Sequence, residues 1–183
     1  MKNKTIFATV SWLMVVIALT SLWAYAEHQD SYSDPHVAIL SEDSKLLLIP
    51  AYKLGDESLY FIIKSKHNLG AVYAHEGLLG WKSGMLTWGP IDPDRKFDML
   101  EGHKGHGDHL IYGLFKKGDE RVVKVDDQQA TILNLALLSP EAVKEYHLED
   151  VYLWYFEKDP DRTYHQIKLV EKETDEDLQI IDL

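Results

Sequence analysis

The sequence predicts an all-β or β-dominated α+β fold: an antiparallel meander or sandwich with one short helix, preceded by an N-terminal hydrophobic helix. Two observations support this prediction. Short runs rich in aromatic and β-branched residues, punctuated by Gly, Asp and Asn, fill most of the chain after residue 36. Hydrophobic residues make up 45% and charged residues 27% of the 183 residues, which is the balance of a folded globular domain.

The first 26 residues are predicted to direct the chain to a membrane. Two lysines precede residues 5–26, which carry no charge. The ending AYA at residues 24–26 has the small side chains of a signal-peptide cleavage site, with cleavage after Ala26. The same uncharged run is long enough to be an uncleaved transmembrane helix. Both interpretations stay open, and both place the following domain on the extracytoplasmic side because the positive charges stay in the cytoplasm.

The remainder is predicted to form a polar linker, residues 27–36, and a single β-rich extracytoplasmic domain, residues 37–183. Of the 19 basic and 30 acidic side chains, the first 26 residues hold two basic and no acidic ones, so the remainder has 17 and 30, a net charge of −13. This charge disfavours nucleic acid and anionic lipid headgroups. We therefore expect no nucleic-acid partner, and membrane contact only through the N-terminal segment. The absence of cysteine excludes disulfides and thiolate chemistry.

Alternating apolar patterns predict about ten short strands in this domain. They are residues 45–50, 57–66, 70–75, 78–87, 110–116, 121–125, 130–136, 151–157 and 164–170, with 178–183 as a last edge strand. The sequence Ser139-Pro140-Glu141 combines a helix cap, a proline at the first helical position and an acid in the first turn. It predicts the one short helix, ending near His147.

Residues 151–156 (VYLWYF) are apolar on both faces of a strand. A strand of this kind is typically central and buried on both sides. The functional alternative is an exposed aromatic platform on which sugar rings or a partner peptide stack.

The segment at residues 101–109 (EGHKGHGDH) is the strongest candidate for chemistry. His103, His106 and His109 recur every third residue between glycines, with Asp108 beside them. Imidazole is the commonest protein ligand of divalent transition metals, and three histidines with a carboxylate complete a tetrahedral set of ligands. The alternative is a polar loop with solvated histidines. No cofactor is expected apart from a divalent transition metal at these four residues.

Catalytic motifs are absent from the sequence: no Gly-x-Ser-x-Gly elbow, His-Glu-x-x-His pair or phosphate-binding glycine loop occurs. No catalytic residue is therefore nominated, and the sequence favours binding over an enzymatic role. Residues 70–81 with their GLLGWK ending, and residues 111–115 (IYGLF) followed by a charged turn and VVKV, resemble a pattern in uncharacterised small exported β-rich proteins of Gram-positive bacteria. The resemblance implies an exported β-rich domain and carries over no site residue.

These observations predict an exported domain of the bacterial cell envelope, secreted or anchored in the membrane by residues 5–26. Its expected role is non-enzymatic binding of an envelope protein or polymer. The alternative is a metal-binding envelope protein that uses the histidine segment.

Overall fold

The computed structural model describes residues 2–65, 67–91, 98–100 and 103–183, with the backbone alone for residues 2–11. Within these residues the helices are α1 (Lys2–Gln29), α2 (Pro35–Glu42) and α3 (Pro140–Tyr146), with a 3-10 turn at Leu135–Leu137. The strands are β1 (Leu47–Leu54), β2 (Glu57–Lys64), β3 (Asn68–Gly77), β4 (Gly80–Ser83), β5 (Thr87–Pro90), β6 (Lys104–His106), β7 (Leu110–Lys116), β8 (Arg121–Val125), β9 (Gln128–Gln129), β10 (Thr131–Asn134), β11 (Val151–Glu157), β12 (Gln166–Glu171) and β13 (Asp177–Asp182).

The described strands form three antiparallel sheets. The first sheet is a meander in the order β1-β2-β3-β4, and β5 pairs with the other half of the β3 edge. The middle sheet has the order β10-β11-β7-β6, and the third sheet has the order β13-β12-β8-β9. The meander follows from short connections between consecutive strands, whereas each of the other two sheets also contains one pair distant in sequence, β7 with β11 and β8 with β12.

The middle sheet is buried on both faces. On one side, Phe61 of the first sheet packs against Tyr112 and Tyr155 of the middle sheet, with ring centroids 5.1 and 5.3 Å apart. On the other side, Trp154 belongs to a core shared with Ile167 of the third sheet. The prediction that residues 151–156 form a buried central strand is confirmed, since all six residues are buried.

A fourth layer covers the outer face of the first sheet. Ala38 and Ile39 of α2 are fully buried and share a core with Ile62, Val72 and Trp81. The order of layers is therefore α2, first sheet, middle sheet, third sheet.

The β-dominated antiparallel fold is confirmed, with one correction. The predicted helix exists as α3, with Ser139 as its cap and His147 at its end, but α2 is a second short helix that the prediction of a single one missed. Its start repeats the same signal, because the Asp34 side chain accepts a hydrogen bond from the backbone N–H of His36 and Pro35 follows the cap. Three sheets are stacked in the sandwich, a number that the sequence did not predict.

Between Trp12 and Tyr25, α1 carries apolar side chains on all sides, and nearly all of them are exposed. The side chains of residues 1–11, which begin the predicted hydrophobic segment, lie outside the described part. Within the described part, no helix is both long enough and apolar enough to cross a membrane. The transmembrane helix therefore stays a prediction.

The end of α1 is joined directly to the first sheet. Tyr32 forms an isolated antiparallel bridge with Trp81, in which the two backbone N–H groups donate to the opposite carbonyls at 2.9 and 2.7 Å. The Glu27 carboxylate lies 2.8 Å from the ammonium group of Lys82. Residues 27–36, predicted as a linker, thus contain the last turn of α1, this contact and the first turn of α2.

Candidate functional site

The histidine segment lies at the edge of the middle sheet, but its histidines diverge. His106 belongs to β6 and pairs with Leu110, so its side chain lies on the face toward the first sheet. Its Nδ1 is hydrogen-bonded to the Thr87 hydroxyl, and its ring lies 5.5 Å from that of Tyr73. Burial lowers the pKa of His106, with the backbone of Ala71 acting in the opposite direction. His106 is therefore a packed, hydrogen-bonded residue between two sheets.

The other three predicted residues, His103, Asp108 and His109, line an open depression of about 640 Å³. Burial, and next the neighbouring Lys158 ammonium, lower the pKa of His103, which keeps its imidazole neutral at pH 7. The opposite wall is the connection between β11 and β12. The other lining residues are Ile111, Lys158, Asp159, Pro160, Arg162, Thr163, Tyr164 and Leu183.

The four predicted ligands therefore do not form one cluster. In an extended chain, side chains three positions apart point to opposite faces, which separates His106 from His103. Across the described residues, no group of three or more His, Asp or Glu side chains is placed to hold one metal ion. The geometry lends the proposed metal site no support.

The connection between β11 and β12 contains a tight turn and is hydrogen-bonded to the histidine segment at His109. The N–H of Arg162 donates to the Asp159 carbonyl at 3.1 Å, and the N–H of Lys158 donates to the His109 carbonyl at 2.6 Å. The Arg162 guanidinium lies 5.6 Å from the centre of the Tyr164 ring. Among the described residues, neither Lys158 nor Arg162 forms an ion pair within 4.0 Å.

A second depression, of about 540 Å³, lies beside β10 and the connection between β7 and β8. Its polar groups already bind one another: the Tyr152 hydroxyl donates to Asp119 at 2.8 Å, and the Lys172 ammonium donates to the carbonyls of Gly118 and Asp119 at 2.9 and 2.8 Å. This depression therefore offers fewer unpaired groups than the first.

The structure also assembles a tyrosine–glutamate cluster of Tyr52, Glu57, Tyr73, His75 and Glu157, which the sequence analysis missed. Oε1 of Glu157 accepts hydrogen bonds from the hydroxyls of Tyr52 at 2.7 Å and Tyr73 at 2.8 Å. The Tyr52 hydroxyl also lies 3.0 Å from Glu57, whose other carboxylate oxygen is 3.7 Å from the His75 ring. The two tyrosines that donate to Glu157 are 105 and 84 positions away in the sequence, so no local sequence pattern predicts the cluster.

This cluster connects the first sheet to the middle sheet, because both tyrosines lie in or beside the meander and Glu157 ends β11. Burial first, and the hydrogen-bonded Glu157 carboxylate next, raise the pKa values of Tyr52 and Tyr73 well above the usual range. Since the carboxylate stabilises the protonated hydroxyls, the arrangement is a structural latch at neutral pH.

Replacing Glu157 with alanine should lower the free energy of unfolding by about 1–2 kcal/mol, because two tyrosine hydroxyls lose a charged acceptor. Urea denaturation followed by circular dichroism measures this change. The matched control is Glu157→Gln, which keeps an acceptor oxygen and should cost less. Equal stability of the wild type and Glu157→Ala would contradict a latch between the sheets.

Alkaline pH should unfold the protein between about pH 10 and pH 12. Burial raises the pKa of Tyr112 to about 12, and burial together with Asp119 raises that of Tyr152 to about 12. A folded-state pKa above the unfolded value of 10.0 means that the stabilisation is complete below pH 10 and is lost as the pH rises toward 12. The part of the 295 nm absorbance change that comes from the buried tyrosines should coincide with the loss of circular dichroism. Tyr112→Phe, which cannot ionise, should move the transition to higher pH, and ionisation of all ten tyrosines without unfolding would contradict the prediction.

No protein-family model, curated protein or solved structure matches this chain.

Proposed function

We propose that this chain is a non-enzymatic extracytoplasmic domain, held at the membrane by α1, that binds a protein or polymer of the cell envelope. The observation that carries the proposal is the exposure of α1, whose apolar side chains between Trp12 and Tyr25 point outward on every side. A helix that is apolar all round requires an apolar environment, and the domain does not supply one. The two lysines at its start, Lys2 and Lys4, favour an N-terminus in the cytoplasm.

The contacts of α1 favour an uncleaved anchor over a cleaved signal peptide. The bond after Ala26 lies inside the helix, which continues to Gln29. Glu27, on the other side of that bond, is held by Lys82, and its carbonyl accepts a hydrogen bond from the Ser31 hydroxyl at 2.6 Å. Proteolysis needs a segment whose backbone can leave its hydrogen bonds, so these contacts would slow cleavage of the folded chain.

The proposed partner site is the depression between the histidine loop and the connection from β11 to β12. Lys158 and Arg162 can donate to carboxylate or phosphate groups, and Asp108 and Asp159 can accept from amines or hydroxyls. A concave surface with both kinds of group suits the repeating polar units of a polymer or a charged peptide segment.

Labelling in intact cells tests the location. The chain contains no cysteine, so Met85→Cys, at a residue that is 77% exposed, introduces a single reactive thiol. We expect a membrane-impermeant maleimide to label the protein without lysis, and the labelled protein to sediment with membranes at its full mass. Labelling only after lysis would refute the extracytoplasmic location, and a released chain lacking 26 residues would refute the anchor.

Binding to cell-wall polymer from a Gram-positive bacterium tests the partner site. The double variant Lys158→Ala/Arg162→Ala should bind at least about tenfold more weakly, because each charge-assisted hydrogen bond contributes about 1.5–3 kcal/mol. The control Lys45→Ala/Lys144→Ala removes the same charge from exposed positions elsewhere. Equal loss in both variants would indicate a general charge effect and refute this site, as would unchanged binding in the first.

A further inference from the structure

The end of the first sheet that lies beside α1 carries exposed leucines. Leu54, at the end of β1, is 76% exposed, and Leu78, in the turn from β3 to β4, is 81% exposed. Leu79 in the same turn is also exposed. Turns between strands usually carry polar residues, so leucines at two turns of one sheet end form an apolar surface that the fold itself does not use. We call Leu54, Leu78 and Leu79 the leucine end.

The two turns of the leucine end are neighbours in space. Strands β2 and β3 pair so that Glu57 is opposite His75, which places the start of β2 beside the end of β3. The N–H of Glu76, near the end of β3, donates to the carbonyl of Asp56, in the turn between β1 and β2, at 2.7 Å. This hydrogen bond joins the β1–β2 turn to the end of β3, just before the β3–β4 turn. Leu54 and Leu78 therefore project from the same end of the meander.

The last turn of α1 lies against this end. Glu27 binds Lys82 of β4, and its Oε1 lies 3.8 Å from the position that a Cβ on Gly77 would occupy. The bridge between Tyr32 and Trp81 holds the chain there. The C-terminal end of α1 therefore lies next to the leucine end.

The charges around the leucine end determine which lipid headgroups it can contact. Lys82 is neutralised by Glu27, and the Lys53 ammonium lies over the Trp81 ring, 4.5 Å from its centre. Asp56 and Glu76 are exposed acids at the same end. Such a surface is repelled by anionic headgroups and is compatible with zwitterionic ones.

We propose that the leucine end rests in the interface of the bilayer that α1 enters, so that the domain stands on the membrane with this end of the first sheet downward. The inference rests on the proposed membrane anchor. The contact excludes free rotation of the domain about α1, and it keeps the depression at His103 in a constant orientation to the membrane.

Environment-sensitive fluorescence tests this contact on the full chain in phosphatidylcholine vesicles. Single-cysteine variants Leu78→Cys and Met85→Cys carry an NBD label; both positions are exposed, at 81% and 77%, and Met85 lies beyond the opposite end of β4. We expect the label at position 78 to shift to shorter wavelength and to be quenched by spin-labelled lipid. The label at position 85 should instead be quenched by aqueous iodide.

A third variant, Val16→Cys, separates this inference from the anchor on which it depends. If the label at position 16 is quenched by lipid while labels 78 and 85 are equally accessible to iodide, the leucine end does not touch the membrane and the inference fails alone. If the label at position 16 is itself in water, the anchor fails and the inference fails with it. Lipid quenching at both 78 and 85 would refute the proposed orientation. Far-UV circular dichroism of each labelled variant verifies the fold.

Discussion

Replacing Trp154 with alanine should lower the free energy of unfolding by about 3–5 kcal/mol. Trp154 is 1% exposed and lies in β11, at the centre of the sheet that is buried on both faces. Its indole packs over Gly113 of β7, where a Cβ would lie 2.8 Å from Nε1. The glycine at position 113 thus leaves space for the Trp154 ring. Alanine in place of Trp154 would leave a cavity between the middle and third sheets. A loss of this size is a large part of the stability of an ordinary domain.

Urea denaturation followed by far-UV circular dichroism measures this loss, and Trp88→Ala is the matched control. Trp88 also lies in a strand, but it is 48% exposed, and the Lys64 ammonium lies 4.4 Å from its ring centre. Its removal should cost less than about 1 kcal/mol, the value of an exposed cation–π contact. If Trp88→Ala destabilised the protein as much as Trp154→Ala, the three-sheet packing would be contradicted.

Replacing Gly80 with alanine should loosen α1 from the domain and cost about 1–3 kcal/mol. Gly80 has a φ of +135°, and a Cβ there would lie 2.5 Å from the carbonyl oxygen of Tyr32. Neither the backbone of Gly80 nor the carbonyl of Tyr32 can move away without breaking the bridge between Tyr32 and Trp81. Hydrogen exchange should therefore accelerate at the amides of these two residues, and proteases should cut more readily within residues 27–34.

Gly55→Ala is the control for this experiment. Gly55 also has a positive φ, of +60°, but nothing lies within 4 Å of its added Cβ. We expect Gly55→Ala to lower the free energy of unfolding because alanine is strained at a positive φ. Amide hydrogen exchange at Tyr32 and Trp81 should not change. Unchanged exchange at both amides in Gly80→Ala would show that the bridge does not hold α1, and it would also remove the structural basis for a constant orientation on the membrane.

Helices and strands were predicted correctly where their local sequence signals were complete. The cap and proline at Ser139 and Pro140 predicted α3, and the two-sided apolar run predicted the buried β11. The same cap and proline at Asp34 and Pro35 were overlooked because they lie in a polar stretch that was assigned to a linker. The histidine spacing was visible, but its interpretation required knowing which face of the edge strand each ring occupies.

The sequence by itself determined the elements whose causes are local: antiparallel strands from period-two patterns, a meander from short turns, and a capped helix, together with a charge that disfavours nucleic acid. Only the tertiary structure decided what meets across long distances in the chain. Packing of the first sheet on the middle sheet brought Glu157 to Tyr52, and the bridge between Tyr32 and Trp81 placed Glu27 against Lys82 beside two apolar turns. The physical reason is that side-chain alternation and turn chemistry act over a few residues, whereas sheet stacking is driven by burial of whole apolar faces, which no short pattern specifies.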